Sequence, residues 1–317
     1  MRKQSSPSRP AHAFDDVQAM VVFARVIQER SFTRAARQLG TTTSAVSKRV
    51  ARLEARTGAR LIGRSTRVVV PTEAGLALYE RCLRILREVQ DADLFVQGLS
   101  GVPRGLLRIS APVFFGEMYV APLVATLARR EPELRVELML EDRFVDLVRE
   151  GFDVAVRVGR STGAALVAKR LARMPEVVVA SPEYVERRGR PLAPSDLLEH
   201  DCLRYTLDAA PGRWTFEGGS GEAIAMPIRG VLDCNHGGAL RQAALAGLGI
   251  AFLPRFYVHD ALERGELVTL LETYCKTERG IHAVYPAARE QLPKTRACVE
   301  FLARELPLRL SAKGAPR

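Results

Sequence analysis

Hydroxyl and cationic residues crowd one short stretch: Thr42, Thr43, Ser44, Ser47, Lys48 and Arg52. Val46, Val50 and Leu53 recur there at three- and four-residue steps, which predicts a helix with one apolar face and these polar groups on the other. Hydroxyls and cations on an exposed helix face can donate to base edges and phosphates in a DNA major groove. That is recognition chemistry, without bond making. A helical hairpin with a merely solvated face is the plainer alternative. Arg34, Arg64 and Arg67 are further cations suited to phosphate contacts, as is Arg52.

A second constellation would make bonds. Gly159-Arg-Ser161-Thr-Gly163 fits the G-x-S-x-G pattern of a nucleophilic serine following a strand, with Asp233 and His236 or His259 downstream in hydrolase order. Such an elbow needs a helix straight after the serine, and Gly163 to Leu171 reads equally well as a strand. Patterns of five residues also recur by chance in long chains, so an enzyme is not expected. The five cysteines (Cys82, Cys202, Cys234, Cys275, Cys298) are scattered without paired spacing, and the five histidines show no ligand spacing. Reduced core thiols are expected, with a peroxide-sensing pair as the alternative, and no metal and no cofactor. Gly247-Leu-Gly249 lacks the third glycine of a dinucleotide loop.

The elements that must position the polar face can be read around it. Ser31 can cap a helix carrying Phe32, Ala35, Ala36 and Leu39 on one side; Gly40 ends it, and Thr41 or Thr42 caps the next. Small Ala35 and Ala36 allow the two helices to cross closely. Asp15 and Asp16 start a supporting helix with an apolar stripe of Val17, Met20, Val21, Ala24 and Ile27. Ala59 to Val70 reads as two strand-like runs around a Ser-Thr turn, a wing that would carry Arg64 and Arg67 to the DNA backbone. Pro71-Thr72-Glu73 starts a long helix reaching about Gln97, roughly 38 Å at the usual rise per residue. Its stripe of Leu76, Tyr79, Leu83 and Leu86 suits a partner helix, though it could pack on its own chain.

At 317 residues the chain suggests two or three domains, and 47% hydrophobic with 26% charged residues is ordinary for a soluble protein. No apolar run approaches a membrane span or a signal-peptide core, so a cytoplasmic protein is expected. The charge is informative only when divided. Residues 1–70 hold 14 Lys or Arg against 4 Asp or Glu, a balance of +10 within a whole-chain +11. The excess lies on the helix-turn-helix segment, which argues for a polyanion partner of that segment alone. A sequence-indifferent DNA-packing protein would share the basic segment but leaves the remaining, nearly neutral chain without a purpose.

Beyond a break at Ser100-Gly101-Val-Pro103 the periodicity changes. Strands are expected at Gly105–Ser110, Arg135–Leu140, Phe152–Val158, Glu176–Ala180, Ile228–Asp233, Gly249–Leu253 and Gly280–Tyr285. Helices are expected at about Tyr119–Arg130, Phe144–Glu150, Ala239–Ala246 and Lys294–Glu305. The alternation implies α/β architecture with parallel sheets. Ligands of such domains sit beyond strand carboxyl ends, where helix N-termini offer amides to anions. Two loops fit: Ala111 to Gly116, with Pro112, Val113, Phe114 and Phe115, and Asn235-His236-Gly237-Gly238. Arg157, with Gly159 and Ser161 beside it, is a candidate counter-ion.

These residues also carry a family resemblance. Phe23, Ser31-Phe32-Thr33, Ala35-Ala36, Leu39, Ser44 to Ser47, Arg52-Leu53-Glu54, Gly58, Leu61, Arg64, Pro71 to Gly75 and Tyr79 match, in register, the DNA-binding end of LysR-type transcriptional regulators. Val145–Gly159 and Ala243–Pro254 extend the match along the chain. Around Ala111-Pro112 and Phe144-Val145-Asp146 it is most similar to the subgroup that includes the meningococcal adhesion regulator. The resemblance implies a winged helix-turn-helix over 14–71 behind a disordered arm at 1–13, and a dimerisation linker helix over 72–101. It further implies a two-lobed effector domain of periplasmic-binding-protein (type 2) kind over 102–310, crossed twice by the chain. Its first lobe would span about 102–174 and 280–310, its second about 175–279, with a disordered tail at 311–317. A dimer or tetramer would bind an inverted repeat on double-stranded DNA, with RNA polymerase as a further partner and a small molecule in the inter-lobe cleft. The chain departs from the subgroup in carrying a ring at Phe114, near a usual small hydroxyl, and His236 at a usual acid. An aromatic or otherwise apolar acid is therefore expected as effector, or none.

Overall fold

The structure, a computed structural model, describes residues 13–63, 69–97, 101–159, 166–208, 210, 212–276 and 278–312. The chain divides into two compact units, Met1–Asp93 and Leu94–Arg317.

In the first unit the expected helices form with the expected caps. They are α1 (Ala13–Glu29), α2 (Phe32–Gln38), α3 (Thr43–Thr57) and α4 (Glu73–Gln97). Ser31 Oγ accepts from the Arg34 amide at 3.3 Å, and Thr42 Oγ1 from the Ala45 amide at 3.2 Å. Thr42, not Thr41, is thus the cap of α3. Gly40 turns the chain between α2 and α3 at φ +62°, a left-handed conformation that glycine adopts without strain. Ala35 and Ala36 are buried against Phe23, Val26, Val46, Val50 and Leu53, so the close crossing is real. Ala13, expected in the disordered arm, already belongs to α1.

The wing root is a single antiparallel bridge, Ile62 to Pro71, with the Gly63 amide donating to the Val70 carbonyl at 2.8 Å. Residues 64–68, which include Arg64 and Arg67, lie outside the described residues. Thr72 caps α4, accepting from the Gly75 amide at 3.0 Å while donating to the Arg60 carbonyl at 2.6 Å. The inward stripe of α4 runs through Gly75, Leu78, Tyr79, Cys82 and Leu86. Tyr79 and Leu86, two of the residues assigned to a partner helix, therefore pack on their own chain. Leu83 is half-buried, whereas Leu76 is half-exposed. Burial pushes the Cys82 thiol up to about 11, as suits a reduced core cysteine.

The second unit begins with β1 (Gly105–Ala111) and a helical run in three registers: α5 (Val113–Phe115), a π-helical Gly116–Val120, and α6 (Ala121–Arg130). It continues through β2 (Leu134–Leu140), α7 (Leu147–Glu150), β3 (Val154–Val158), β4 (Leu166–Ala180) and α8 (Pro182–Arg188). Then come β5 (Cys202–Tyr205), a separate hairpin of β6 (Arg213–Glu217) and β7 (Ala223–Pro227), β8 (Gly230–Cys234) and α9 (Gly237–Leu245). Last are β9 (Ile250–Pro254), α10 (His259–Glu263), β10 (Val268–Leu270), β11 (Glu278–Pro286) and α11 (Pro293–Ala312). The main sheet runs β2-β1-β3-β11-β4-β9-β5-β8, with β10 on β4.

Three expectations need correcting. The flanks of the sheet are parallel (β1 with β2 and β3, β5 with β8 and β9), but its centre is antiparallel, β11 pairing with β3 and β4, and β4 with β9. Glu176–Ala180 does not open a new strand; it is the end of the 15-residue β4. Up to Pro175 this strand pairs with β11, and from Glu176 it pairs with β9, so the proline, which has no N–H to give, stands where the partners change. Finally, α11 runs on through Pro307 to Ala312, so Ser311 and Ala312 are helical; Ser311 Oγ donates to the Pro307 carbonyl at 3.0 Å.

A buried ion cluster ties α11 to the first half of the sheet. Asp153 Oδ1 meets Arg289 Nη1 at 2.9 Å and Lys294 Nζ at 3.0 Å, and Oδ2 accepts the Arg108 amide at 2.8 Å. Arg289 also donates to the Phe152 carbonyl and Lys294 to the Leu106 carbonyl.

Candidate DNA interface and ligand cleft

Thr42, Thr43, Ser44, Ser47, Lys48 and Arg52 are all exposed, as α3 turns Val46, Val50 and Leu53 inward. Arg49, which the sequence reading passed over, is exposed on the same helix. None of Lys48, Arg49 and Arg52 forms an ion pair among the described residues, so these cations stand ready for an external anion. Arg34 departs from expectation. Its guanidinium Nε donates to the Glu29 carbonyl at 3.1 Å and lies 3.7 Å from the Glu29 carboxylate. It closes the end of α1, whose last carbonyls have no partner within the helix. Glu54, on α3, holds the wing root: its Oε1 accepts from the Leu61 amide at 2.7 Å and the Ile62 amide at 3.1 Å. Only the chain's approach in space reveals that role.

In the second unit, the loop expected at Ala111–Gly116 is helical from Val113, with Pro112 before it. The Val113 amide donates to Asp142 Oδ1 at 3.0 Å, and Asp142 Oδ2 lies 3.8 Å from His236 Nε2. His236 in turn caps α9, Nδ1 accepting from the Ala239 amide at 3.2 Å. Both helix starts proposed as anion sites thus already meet groups of the chain itself. Phe114 lies between the two sheet halves, its ring 4.8 Å from Tyr257 and 6.2 Å from Phe256. A Cβ on Gly237 would come within 2.4 Å of the Tyr257 ring, and one on Gly238 within 3.3 Å of Phe114, so these glycines make room for rings. Phe115 is fully buried, stacked on Tyr119 and edge-on to Phe256, and belongs to the core rather than to a ligand surface. Asn235 is exposed.

Arg157 is 8% exposed and has only neutral partners, Nη2 donating to Ser110 Oγ and Nη1 to the Val156 carbonyl, each at 3.2 Å. No acid of the described residues pairs with it, and burial lowers its pKa. Gly159 adopts φ +102° beside Arg279; Ser161 lies outside the described residues. The next described element is the strand β4, not the helix a nucleophile elbow requires. The structure thus gathers Phe114, His236 and Gly237 around Asp142 and Tyr257, neither of which the sequence reading chose. Arg279 on β11 binds Glu176 on β4 and, at 2.8 Å, Asp208, which follows β5. Burial, with Asp142 and Asp208, pushes the Tyr205 phenol up to about 12, and burial raises Tyr257 as well. Among the described residues there is no cluster that could hold a metal ion, and no helix long and apolar enough to cross a membrane.

A winged helix-turn-helix followed by an α/β domain of mixed sheet defines a DNA-binding regulator with its own ligand-sensing domain. Residues 17–76 match the bacterial regulatory helix-turn-helix proteins of the lysR family, and residues 100–307 the LysR substrate binding domain. The chain belongs to the LysR family of transcriptional regulators. It is 36% identical over 295 residues to the transcriptional regulator PtxR of Pseudomonas aeruginosa, covering 92% of this chain and 94% of that one. Over 282 residues it is 36% identical to DmlR of Escherichia coli, covering 89% and 91%. Among solved structures it resembles CrgA, a LysR-type regulator from Neisseria meningitidis, with TM-score 0.57 and 31% identity over 91% of this chain and 98% of that one. It also resembles the virulence activator AphB of Vibrio cholerae, with TM-score 0.59 and 25% identity over 90% and 98%.

Proposed function

We propose that the protein binds an imperfect inverted repeat near a promoter as a homodimer or a dimer of dimers, α3 of each subunit entering one major groove. The observation that carries this reading is the exposed face of α3, where Lys48, Arg49 and Arg52 form no ion pair among the described residues. Thr43, Ser44, Ser47 and Lys48 meet base edges or nearby phosphates, while Arg52, Arg64 and Arg67 supply phosphate contacts. The exposed Leu76 and half-buried Leu83 of α4 remain available to a partner helix. The regulator works in the cytoplasm, beside RNA polymerase, and catalyses no reaction.

The test is a gel shift on the DNA upstream of its own gene, with scrambled competitor and a salt series. A discrete, competitor-resistant shift is expected. Lys48→Ala should weaken binding on all sequences and lower the salt slope by about one if it meets a phosphate, whereas Ser47→Ala should relax base preference. No binding even at low salt would overturn the reading.

The cleft beside Phe114 takes a small apolar or aromatic acid, anchored by Arg157, a buried cation that has no carboxylate partner among the described residues. The Phe114 ring fills part of this space, so Phe114→Ala should tighten binding of benzoate in calorimetric titration by about tenfold, the order expected for opening room for a few methylene equivalents. Tight binding of polar aliphatic acids by the unaltered protein would count against an aromatic ligand.

A further inference from the structure

We infer that the second half of the sensing domain carries an acid-sensitive latch, in which Tyr184 and His200 tie α8 to the start of β5 only while the imidazole is neutral. Tyr184 is fully buried and His200 is 7% exposed, and their side chains meet at 3.0 Å, Oη to Nδ1. Tyr184 belongs to α8, while His200 and Asp201 stand between the helical turn Pro194–Glu199 and β5.

The groups around the phenol oxygen fix the direction of that bond. The Asp201 amide donates to it at 3.0 Å, and the Arg188 guanidinium stands beside it. Both are donors, so the phenol proton goes to His200 Nδ1. Nδ1 is therefore bare, and the neutral ring carries its proton on Nε2. A second proton on the ring has only Nδ1 to sit on, where it would point at the phenol proton. Reversing the bond gives no escape, because it leaves a buried hydroxyl proton without an acceptor among the described residues.

The charges that face the ring do not reverse this. Arg188 of α8 opposes a second positive charge, whereas Asp196 and Glu199 of the turn and Asp201 favour one. The Asp196 carboxylate is already held by the Leu192 and Ala193 amides, and the Asp201 carboxylate lies 3.8 Å from Arg188. Cys202 donates its thiol proton to the His200 carbonyl, and burial keeps that thiol protonated. Burial of the imidazole is the largest influence, and it holds His200 below its ordinary value of 6.5. The unfolded chain thus takes the proton near 6.5 and the folded chain only lower. Stability from the latch is complete above that pH and is lost as the pH falls.

The latch holds more than two side chains. The Asp201 carbonyl accepts the Ile250 amide at 2.9 Å, which joins the root of β5 to β9. From there β5 runs to Tyr205, whose phenol feels Asp142 of the cleft. Acid therefore loosens the sensing domain at the root of a strand that reaches the cleft. The DNA-binding unit has no histidine between residues 13 and 93 and keeps its grip.

The experiment follows the full-length protein from pH 7.5 to pH 5 by two readouts. In the first, ring-nitrogen NMR of the unaltered protein with labelled histidine, the His200 signal is assigned through its contact with the Tyr184 ring protons. It should show the Nε2–H tautomer and stay neutral well below pH 6.5. In the second, a thermal scan, His200→Asn keeps an acceptor where Nδ1 stood but cannot take a charge. The melting temperature of the second unit should fall with acid by about 3–5 °C more in the unaltered protein than in His200→Asn, which for a unit of this size corresponds to a roughly tenfold change in its folding equilibrium. Tyr184→Phe should lower that melting temperature already at pH 7.5 and flatten its further fall with acid. A His200 ring that titrates at or above pH 6.5, or that carries its proton on Nδ1, overturns the inference, and the NMR readout decides this even if a variant fails to fold. Equal acid dependence in His200→Asn and the unaltered protein overturns it as well.

Discussion

Replacing Asp153 with alanine is expected to destabilise the second unit by about 3–5 kcal/mol, the usual cost of removing one partner from a buried ion pair. Asp153 is 1% exposed and sits between Arg289 (7%) and Lys294 (5%). Without it, two buried cations lose the carboxylate 2.9 and 3.0 Å away, and the Arg108 amide loses its acceptor. The carbonyls of Phe152 and Leu106 remain to bond the cations but carry no compensating charge. The melting temperature of that unit should fall by roughly 10 °C in a calorimetric scan of the full chain. Asp153→Asn keeps an acceptor for the Arg108 amide and should fall between the two. A loss below about 1 kcal/mol for the alanine variant would mean that the cluster is better hydrated than its burial indicates.

Gly75→Ala is expected to damage the DNA-binding unit selectively. In most helices this exchange is favourable by roughly 1 kcal/mol. Here an added Cβ would lie 2.0 Å from the Leu61 carbonyl oxygen and 2.9 Å from its carbon, backbone atoms with no side-chain freedom to yield. That same carbonyl accepts the Thr72 amide at 3.0 Å, so α4 and the wing root are locked at this point. Forcing them apart should cost about 1–3 kcal/mol, reversing the usual sign. It also shifts Leu61 and Ile62, whose amides Glu54 holds from α3, and with them the wing. Two transitions followed in one thermal scan decide the matter: the first unit should melt earlier, the second unit unchanged, and operator affinity should drop with the first. A Gly75→Ala protein with unaltered operator affinity would contradict the close approach.

The helix-turn-helix was legible in the sequence because its determinants are local. Ser31, Thr42, Gly40 and the spacing of Val46, Val50 and Leu53 act within a turn or two of chain, and cap, stop and inward face follow from them. What the sequence hid lies in contacts between distant segments. Nothing near Val113 reveals that Asp142 will take its amide, and nothing near Arg34 shows that the Glu29 carbonyl at the end of α1 will claim its guanidinium. The stripe on α4 was visible, but a stripe does not say which partner it faces; Tyr79 and Leu86 turned out to face their own core. Glu176–Ala180 reads by itself as a strand, and nothing local shows that β4 runs into it through Pro175. The proline survives here at a change of partners, where its missing N–H is not asked for.

The same joint bears on how the chain is made. During synthesis β1, β2, β3 and β4 emerge early, yet β3 and the first half of β4 have no neighbour between them until β11, residues Glu278–Pro286, arrives. At about 5–20 residues per second, the ribosome leaves two unpaired strand edges waiting for many seconds. The first unit, complete in sequence by residue 93, can fold on the ribosome, whereas the second must wait for nearly its whole length. A nascent regulator is therefore able to fold the part that grips DNA well before it has any part that listens to a signal. Chains halted before Glu278 combine a basic DNA-binding head with sticky sheet edges, the material a cell's chaperones and proteases must clear.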